Sequence, residues 1–182
     1  MSFKRLCRVT AVLAIFGTSA LFHPLAAGAA TQGDYFIVNY NSQLCIDVPG
    51  GTSSNVTMIQ YECQYPEQDN QAWDFTDTDN GYYEIWNLQT KKCLTVLNAS
   101  IDQNAPIIQY TCNGGTNAQW KPIFQGYWDD DAGRSWDWYT LKNRKSGLCL
   151  TVKNESTANS ATLLQFTCNG GANSIWTWYG VG

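Results

Sequence analysis

The fold is decided by a pattern that first appears as Tyr35-Phe-Ile37-Val-Asn39, Cys45-Ile-Asp47-Val48, Ile59-Gln60-Tyr61-Glu62-Cys63 and Asn70-Gln71-Ala-Trp73. It recurs as Tyr83-Glu-Ile85-Trp-Asn87, Cys93-Leu-Thr95-Val96, Ile108-Gln109-Tyr110-Thr-Cys112 and Asn117-Ala-Gln119-Trp120. A third copy reads Tyr139-Thr-Leu141-Lys-Asn143, Cys149-Leu-Thr151-Val152, Leu164-Gln165-Phe166-Thr-Cys168 and Asn173-Ser-Ile-Trp176. The chain therefore contains three copies of one unit of roughly 40 residues, over about 34–76, 82–124 and 138–180.

Each unit predicts four short strands. Apolar residues two apart, as at Tyr35 and Ile37, have the period of a half-buried strand, and glycine-containing turns separate the runs. Four strands in three units give about twelve, which a closed barrel capped by hairpins accommodates while hiding its strand edges. We therefore predict a single all-β domain with Trp73, Trp120 and Trp176 in its core.

The cysteines follow the same repeat. Six of the seven lie in the units, and threefold symmetry favours one disulfide within each: Cys45–Cys63, Cys93–Cys112 and Cys149–Cys168. Closing a loop of this length contributes about 3 kcal/mol. A zinc site is the alternative, but no histidine follows residue 23 and no cysteines form a close Cys-x-x-Cys pair. We predict no metal and no cofactor.

The first thirty residues have the order of a secretory signal peptide. Three basic residues precede an apolar run over Val9–Phe22, and small residues follow up to Ala30. The apolar run is shorter than the roughly 18 residues that a membrane span needs. We expect a signal peptide over 1–30, a secreted domain over 31–182, and disulfides typical of an extracellular compartment.

Removal of the signal peptide leaves an acidic domain. The loss of Lys4, Arg5 and Arg8 leaves 8 basic and 15 acidic residues, a formal net charge of −7. Such a charge disfavours nucleic acid and anionic membranes as partners. The only histidine, His23, leaves with the signal peptide, so Ser-His and Cys-His catalysis are excluded.

Units two and three are separated by extra residues. The spacing from Trp120 to Tyr139 is nine residues longer than that from Trp73 to Tyr83. We interpret the extra residues, within 124–136, as a surface loop. Its consecutive carboxylates, at 129–131, lack the spaced ligands of a calcium site and are typical of a solvated loop.

The combination of Cys-x-Asp/Thr-Val, an aromatic residue two positions before the second cysteine, and Gln-x-Trp or its remnants resembles the ricin-type β-trefoil lectins and the family 13 carbohydrate-binding modules. The resemblance covers residues 34–180. It implies a β-trefoil with one shallow sugar site on each unit, typically for galactose-type or xylan-type sugars. The expected partners are therefore glycans or polysaccharides.

Unit one matches the site residues of this family. The resemblance implies that Asp47 accepts hydrogen bonds from sugar hydroxyls, that Tyr61 is the aromatic platform, that Asn70 bonds the sugar, and that Gln71 holds the aspartate in place. We expect Asp47 to be exposed. One departure is Ile59, where many members of the family carry a glutamine.

Units two and three retain only part of this set. Thr95 and Thr151 replace the aspartate, and Ala118 and Ser174 replace the glutamine. A hydroxyl bonds sugar hydroxyls more weakly than a carboxylate does. We therefore expect weaker sites there, formed by the aromatic and asparagine residues that remain: Tyr110, Asn117, Phe166 and Asn173.

Two other functions fit parts of the sequence. A glycosidase would need two carboxyls about 5–9.5 Å apart in a cleft, and Asp47 and Glu62 are the candidate pair. A shallow site on a small trefoil argues against catalysis, so we predict a protein that is not an enzyme. The second alternative is a protein-binding trefoil, such as a protease inhibitor, that acts through its aromatic 127–138 loop. This loop contains Tyr127, Trp128, Trp136 and Trp138.

Overall fold

The computed structural model describes residues 34–66, 68–129 and 135–180. The predicted signal peptide over 1–30 lies outside these ranges. The described chain is all-β, as predicted, with twelve strands that pair antiparallel. Within these ranges, no helix has the length and apolar character needed to cross a membrane.

Each unit contributes four strands. Unit one contains β1 (Tyr35–Asn39), β2 (Cys45–Asp47), β3 (Ile59–Tyr61) and β4 (Trp73–Asp79). Unit two contains β5 (Tyr82–Asn87), β6 (Lys92–Val96), β7 (Ile107–Thr111) and β8 (Gln119–Asp129). Unit three contains β9 (Ser135–Asn143), β10 (Cys149–Val152), β11 (Leu163–Phe166) and β12 (Trp176–Gly180). Short 3₁₀ turns lie between several of these strands.

The strand pairing closes a barrel. Strands β9, β12, β1, β4, β5 and β8 follow one another, and β8 pairs back with β9. The remaining six strands form the hairpins β2–β3, β6–β7 and β10–β11, one for each unit. A closed barrel removes the exposed edges of its six strands. This is the closed barrel capped by hairpins that the repeat predicted, and the β-trefoil that the family resemblance implied.

Three tryptophans occupy the core at equivalent positions. Trp73, Trp120 and Trp176 are fully buried, together with aliphatic residues from every unit. Each indole N–H donates to a backbone carbonyl in the second strand of its own unit: Ile46 at 3.0 Å, Leu94 at 2.7 Å and Leu150 at 3.0 Å. A buried indole usually requires such a partner. The prediction that these residues anchor the core is confirmed.

Disulfide bonds close the open end of each hairpin in the predicted pairs. Cys45–Cys63, Cys93–Cys112 and Cys149–Cys168 each connect the second strand of a unit to the segment after its third strand. Their Cα–Cα distances are 5.2, 5.1 and 5.1 Å. Each bond therefore holds the hairpin that carries the candidate site residues of its unit.

Three buried glutamines, Gln60, Gln109 and Gln165, connect the units in a ring. Each side-chain NH₂ group donates to two backbone carbonyls of another unit. Gln60 of unit one donates to unit three, Gln109 of unit two donates to unit one, and Gln165 of unit three donates to unit two. Each side-chain oxygen accepts a hydroxyl hydrogen bond of 2.7 Å from its own unit. All polar atoms of these amide groups are therefore satisfied, and every unit depends on a neighbour.

We predict that Gln165→Leu lowers the free energy of unfolding by about 1–3 kcal/mol, the cost of leaving buried polar groups unpaired. The change removes the donor to the carbonyls of Ser100 and Asp102 and the acceptor for Ser146. Urea denaturation followed by tryptophan fluorescence measures the difference. Gln103→Leu is the control, because this exposed glutamine makes no hydrogen bond within the described chain. Equal losses in the two variants would contradict the prediction.

Candidate functional site

Asp47 is the last residue of β2, and its side chain is buried rather than exposed. Only 4 % of the residue is accessible to solvent, so the expectation of an exposed aspartate is wrong. The physical reason is that Asn70 and Gln71, from the segment before β4, lie against its carboxylate. Because Ile46 accepts the indole hydrogen bond of Trp73, the two segments are held side by side.

Two amide groups fix one carboxylate oxygen of Asp47. Asn70 Nδ2 donates to Oδ2 at 3.0 Å, and Gln71 Nε2 donates to the same atom at 2.8 Å. Hydrogen bonds to a charged acceptor are stronger than those between neutral groups. The family resemblance implied that Gln71 holds the aspartate, and the hydrogen bond from Gln71 to Asp47 agrees. Asn70 also holds it, a contact that was not expected.

Gln71 is itself held by two backbone groups. The fully buried side chain donates to the carbonyl of Glu62 at 3.0 Å and accepts a 3.0 Å hydrogen bond from the backbone N–H of Gln64. The role of Gln64 could not be predicted from the sequence, because it donates through its backbone N–H, which nearly every residue type has. The side chain of Asp47 is therefore oriented by a glutamine that has its own fixed position.

The second carboxylate oxygen of Asp47 has a different environment. Its Oδ1 atom accepts no hydrogen bond from any described residue. Burial raises the pKa of Asp47 above the ordinary value of 3.8, and the hydrogen bonds from Gln71 and Asn70 only partly counteract this effect. The site thus presents a fixed, partly desolvated carboxylate with one oxygen that has no hydrogen-bond donor among the described residues.

Tyr61 lies on the same hairpin as Asp47. The register pairs Cys45 with Tyr61 and Asp47 with Ile59, so all four side chains project from one face. Diagonal neighbours such as Asp47 and Tyr61 are roughly 7–8 Å apart in antiparallel pairs. Tyr61 is half-buried, and its hydroxyl makes no hydrogen bond within the described chain. The structure therefore brings Asp47, Tyr61, Asn70 and Gln71 together.

Unit two has the same backbone but different chemistry. Thr95 is buried, and its hydroxyl donates to the carbonyl of Cys93, two residues earlier on its own strand, at 2.9 Å. Asn117 Nδ2 donates to the carbonyl of Val96 at 3.1 Å, and no hydrogen bond joins it to Thr95 within the described chain. Tyr110 is exposed. The polar groups that remain are thus committed to the backbone.

Unit three shows the same substitution effect. The hydroxyl of Thr151 donates to the carbonyl of Cys149 at 3.0 Å and also lies 3.0 Å from the hydroxyl of Ser174. Asn173 Nδ2 donates to the carbonyl of Val152 at 2.8 Å, and Phe166 is half-buried. Neither this unit nor unit two places a carboxylate where unit one has Asp47.

The described part of the segment between units two and three, 124–129 and 135–136, forms strands rather than the predicted loop. Strands β8 and β9 continue past the barrel, and their register reaches Trp128 opposite Trp136 and Asp129 opposite Ser135. Residues 130–134 lie outside the described chain. Aromatic residues favour strands and stabilise each other across an antiparallel pair, which explains the difference. Trp138 is buried and packs edge-on against Tyr40 at 4.9 Å.

No metal site is found in the described parts of the chain: none of their histidine, cysteine, aspartate and glutamate side chains form a group of three that could hold an ion. Asp130 and Asp131, from the acidic run considered as a calcium site, lie outside those parts.

Comparison with known families places the chain. A family described as ricin-type beta-trefoil lectin domain-like matches residues 22–110, 69–136 and 127–182. The protein belongs to the ricin-type β-trefoil lectin family. Membership and fold together support a carbohydrate-binding protein. No curated protein matches the chain.

Solved structures agree with this assignment. ThreeFoil, a designed threefold-symmetric protein, is 35 % identical, with a TM-score of 0.70 over 79 % of this chain and 96 % of its own. An exo-β-1,3-galactanase from Clostridium thermocellum is 29 % identical, with a TM-score of 0.70 over 82 % of this chain and 30 % of its own. The Rhizoctonia solani agglutinin shares the fold at 16 % identity, with a TM-score of 0.66 over 85 % of this chain and 97 % of its own.

We predict that Asp47→Asn changes the pH dependence of stability. Because burial raises the pKa of Asp47 in the folded state, its contribution to the unfolding free energy falls as pH rises from 3.8 through the raised pKa. Asparagine keeps an oxygen for Asn70 and Gln71 but does not ionise. The melting temperature of the variant minus that of the parent should therefore increase between pH 3 and pH 7. A constant difference would contradict the assignment.

Proposed function

We propose that this protein is a secreted lectin that binds galactose-type or xylan-type sugars, mainly through unit one, and catalyses no reaction. The observation that carries the proposal is the carboxylate of Asp47, held at one oxygen by Asn70 and Gln71 and open at the other. Units two and three have no equivalent carboxylate.

The chemistry of unit one suits a sugar. A pyranose has an apolar face of C–H groups and a rim of hydroxyls that donate and accept hydrogen bonds. Tyr61 supplies an aromatic ring beside Asp47, whose unpaired oxygen accepts from hydroxyls. A small number of fixed polar groups beside an apolar surface is typical of small-molecule sites. In this proposal Asp47 and Tyr61 contact the sugar directly, Gln71 positions Asp47, and Asn70 does both.

The proposed sugar class is supported by the galactanase, which is 29 % identical to this chain and acts on β-1,3-galactan according to its name. The match covers 30 % of that chain, so its activity is not transferred here. In this chain, Glu62 joins the site through its backbone carbonyl rather than its carboxylate. We therefore propose binding without hydrolysis.

The proposal of secretion rests on the cysteines. All six cysteines of the three units are paired. Such disulfides persist in oxidising compartments outside the cell, which is consistent with the apolar segment that precedes the domain.

A protein partner, such as a protease, is the alternative function. Tyr127 and Trp128, which are 69 % and 54 % exposed, favour this alternative. The burial of Trp138 counts against it, because this side chain was expected to contact the partner protein.

The first experiment is a glycan array with an insoluble-xylan pull-down, using parent protein and the Asp47→Asn variant. Asparagine is chosen rather than alanine because alanine would leave the amides of Asn70 and Gln71 without their buried acceptor. We expect affinity to fall at least tenfold, about 1.4 kcal/mol. Thr95→Val is the matched control, because the hydroxyl of Thr95 bonds its own strand. Equal binding by the parent and Asp47→Asn would contradict the assignment of Asp47 to the sugar site.

The same site predicts a pH dependence of binding. Protonation removes the charged acceptor, so sugar affinity should fall on acidification with a midpoint above the ordinary pKa of 3.8. Isothermal titration calorimetry between pH 3 and pH 7 follows this loss. The residual binding of Asp47→Asn should not change over that range. A midpoint at or below 3.8 would contradict the buried environment of Asp47.

A further inference from the structure

A second concave surface lies away from the residues of unit one's site. A cleft of about 430 Å³ lies between β9 and β12 and is lined by Ser135, Trp136, Asp137, Tyr139, Thr177 and Trp178. Ligand pockets in proteins measure roughly 300–1,000 Å³. None of the residues that line this cleft comes from unit one.

Two stacked aromatic rings form the apolar part of the cleft. The rings of Tyr139 and Trp178 lie 4.6 Å apart at an interplanar angle of 24°. Phe75 contacts Trp178 at 5.0 Å, and Phe124 contacts Tyr139 at 5.8 Å. Aromatic pairs in these arrangements attract each other beyond the effect of burial. The stack is therefore fixed from both sides before any ligand arrives.

Asp137 supplies a polar group beside this stack. The hydroxyl of Tyr139 donates to Asp137 Oδ2 at 3.2 Å. The other carboxylate oxygen, Oδ1, accepts no hydrogen bond from any described residue. Burial and the nearby carboxylate raise the pKa of Tyr139, so its hydroxyl stays a donor at neutral pH. As at Asp47, the carboxylate is held at one oxygen, and the other has no hydrogen-bond donor within 34–66, 68–129 and 135–180.

The aromatic surface continues beyond the cleft onto β8. Register places Phe124 opposite Tyr139 and Tyr127 opposite Asp137, and directly opposed residues share one face of an antiparallel pair. Phe124 and Tyr127 are 55 % and 69 % exposed. Apolar side chains of this size at the surface often mark a binding site.

We propose that this cleft is a second saccharide-binding site, for a neutral oligosaccharide, separate from the site of unit one. The aromatic side chains that line the cleft supply an apolar surface for the C–H groups of a sugar, and Asp137 Oδ1 accepts from its hydroxyls. Asp129, opposite Ser135, and Asp137 disfavour phosphorylated or acidic sugars.

Two contacting aromatic residues, Tyr179 and Tyr65, lead from Trp136 in the cleft toward unit one. The ring of Trp136, in the cleft, lies 5.4 Å from that of Tyr179. The hydroxyl of Tyr179 is 2.9 Å from that of Tyr65, which belongs to the loop that leads to Asn70. A polysaccharide chain that occupies both sites would follow this aromatic surface. Occupation of two sites by one chain raises the apparent affinity without any new contact.

The test is NMR of the tryptophan indole N–H groups during titration with xylohexaose or β-1,3-linked galactotriose. The Asp47→Asn background removes the site of unit one. Trp136→Phe and Trp178→Phe assign the two cleft resonances. We expect these resonances to shift to saturation with at least one oligosaccharide. Asp137→Ala, added to this background, should weaken the effect at least fivefold, whereas Asp102→Ala, at an exposed turn of unit two, should not.

Controls separate binding from misfolding. The indole resonances of Trp73, Trp120 and Trp176 report whether the core is intact. If Asp137→Ala disturbs them, Tyr139→Phe tests the same site, because it keeps the ring and removes only the hydroxyl. A fivefold weaker titration in this variant would support the proposal.

Three outcomes would overturn the proposal. These are the absence of cleft shifts in Asp47→Asn, shifts that Asp137→Ala leaves unchanged, and shifts produced by choline in place of either sugar, which would indicate an organic-cation site. Failure of the function proposed for unit one looks different. In that case array binding would survive Asp47→Asn and be lost in Asp137→Ala.

Discussion

The hydrogen bond from the indole of Trp73 to the carbonyl of Ile46 is the contact on which the site of unit one depends. It joins the second strand to the start of the fourth, and the site residues flank it directly. Asp47 follows Ile46, and Gln71 precedes Trp73 by two positions. The same bond forms in the other units, and in unit three Thr151 lies against Ser174. The scaffold is therefore repeated three times, whereas the carboxylate and its glutamine occur in one unit only.

Much of the fold could be predicted because a repeat converts local patterns into a global constraint. Three equivalent positions for Trp73, Trp120 and Trp176 implied a shared core, and the recurrence of two cysteines in every unit implied disulfides within units. The buried glutamines at 60, 109 and 165 were missed as connectors, although their recurrence was visible. Residue type at one position does not reveal which unit accepts its hydrogen bonds, since that depends on how the units close into a barrel.

The site was predicted in composition but not in environment. Resemblance identified Asp47, Tyr61, Asn70 and Gln71, and the structure brings them together. It did not indicate that Asp47 is buried, because the covering residues come from a segment more than twenty positions away. The β8–β9 hairpin was mistaken for a loop since its length suggested an insertion, whereas its aromatic residues pair across strands. The cleft beside Asp137 depends on β9 meeting β12, a contact that no single segment encodes.

The ring of glutamines has a consequence for the history of such a chain. A unit expressed by itself would have a glutamine side chain without the carbonyls of a neighbour. Three separate copies, however, restore every one of these hydrogen bonds when they associate around a common axis. An ancestor one-third as long is therefore compatible with the same architecture as a homotrimer, and fusion of its genes would have freed each copy to lose or keep its own ligand chemistry.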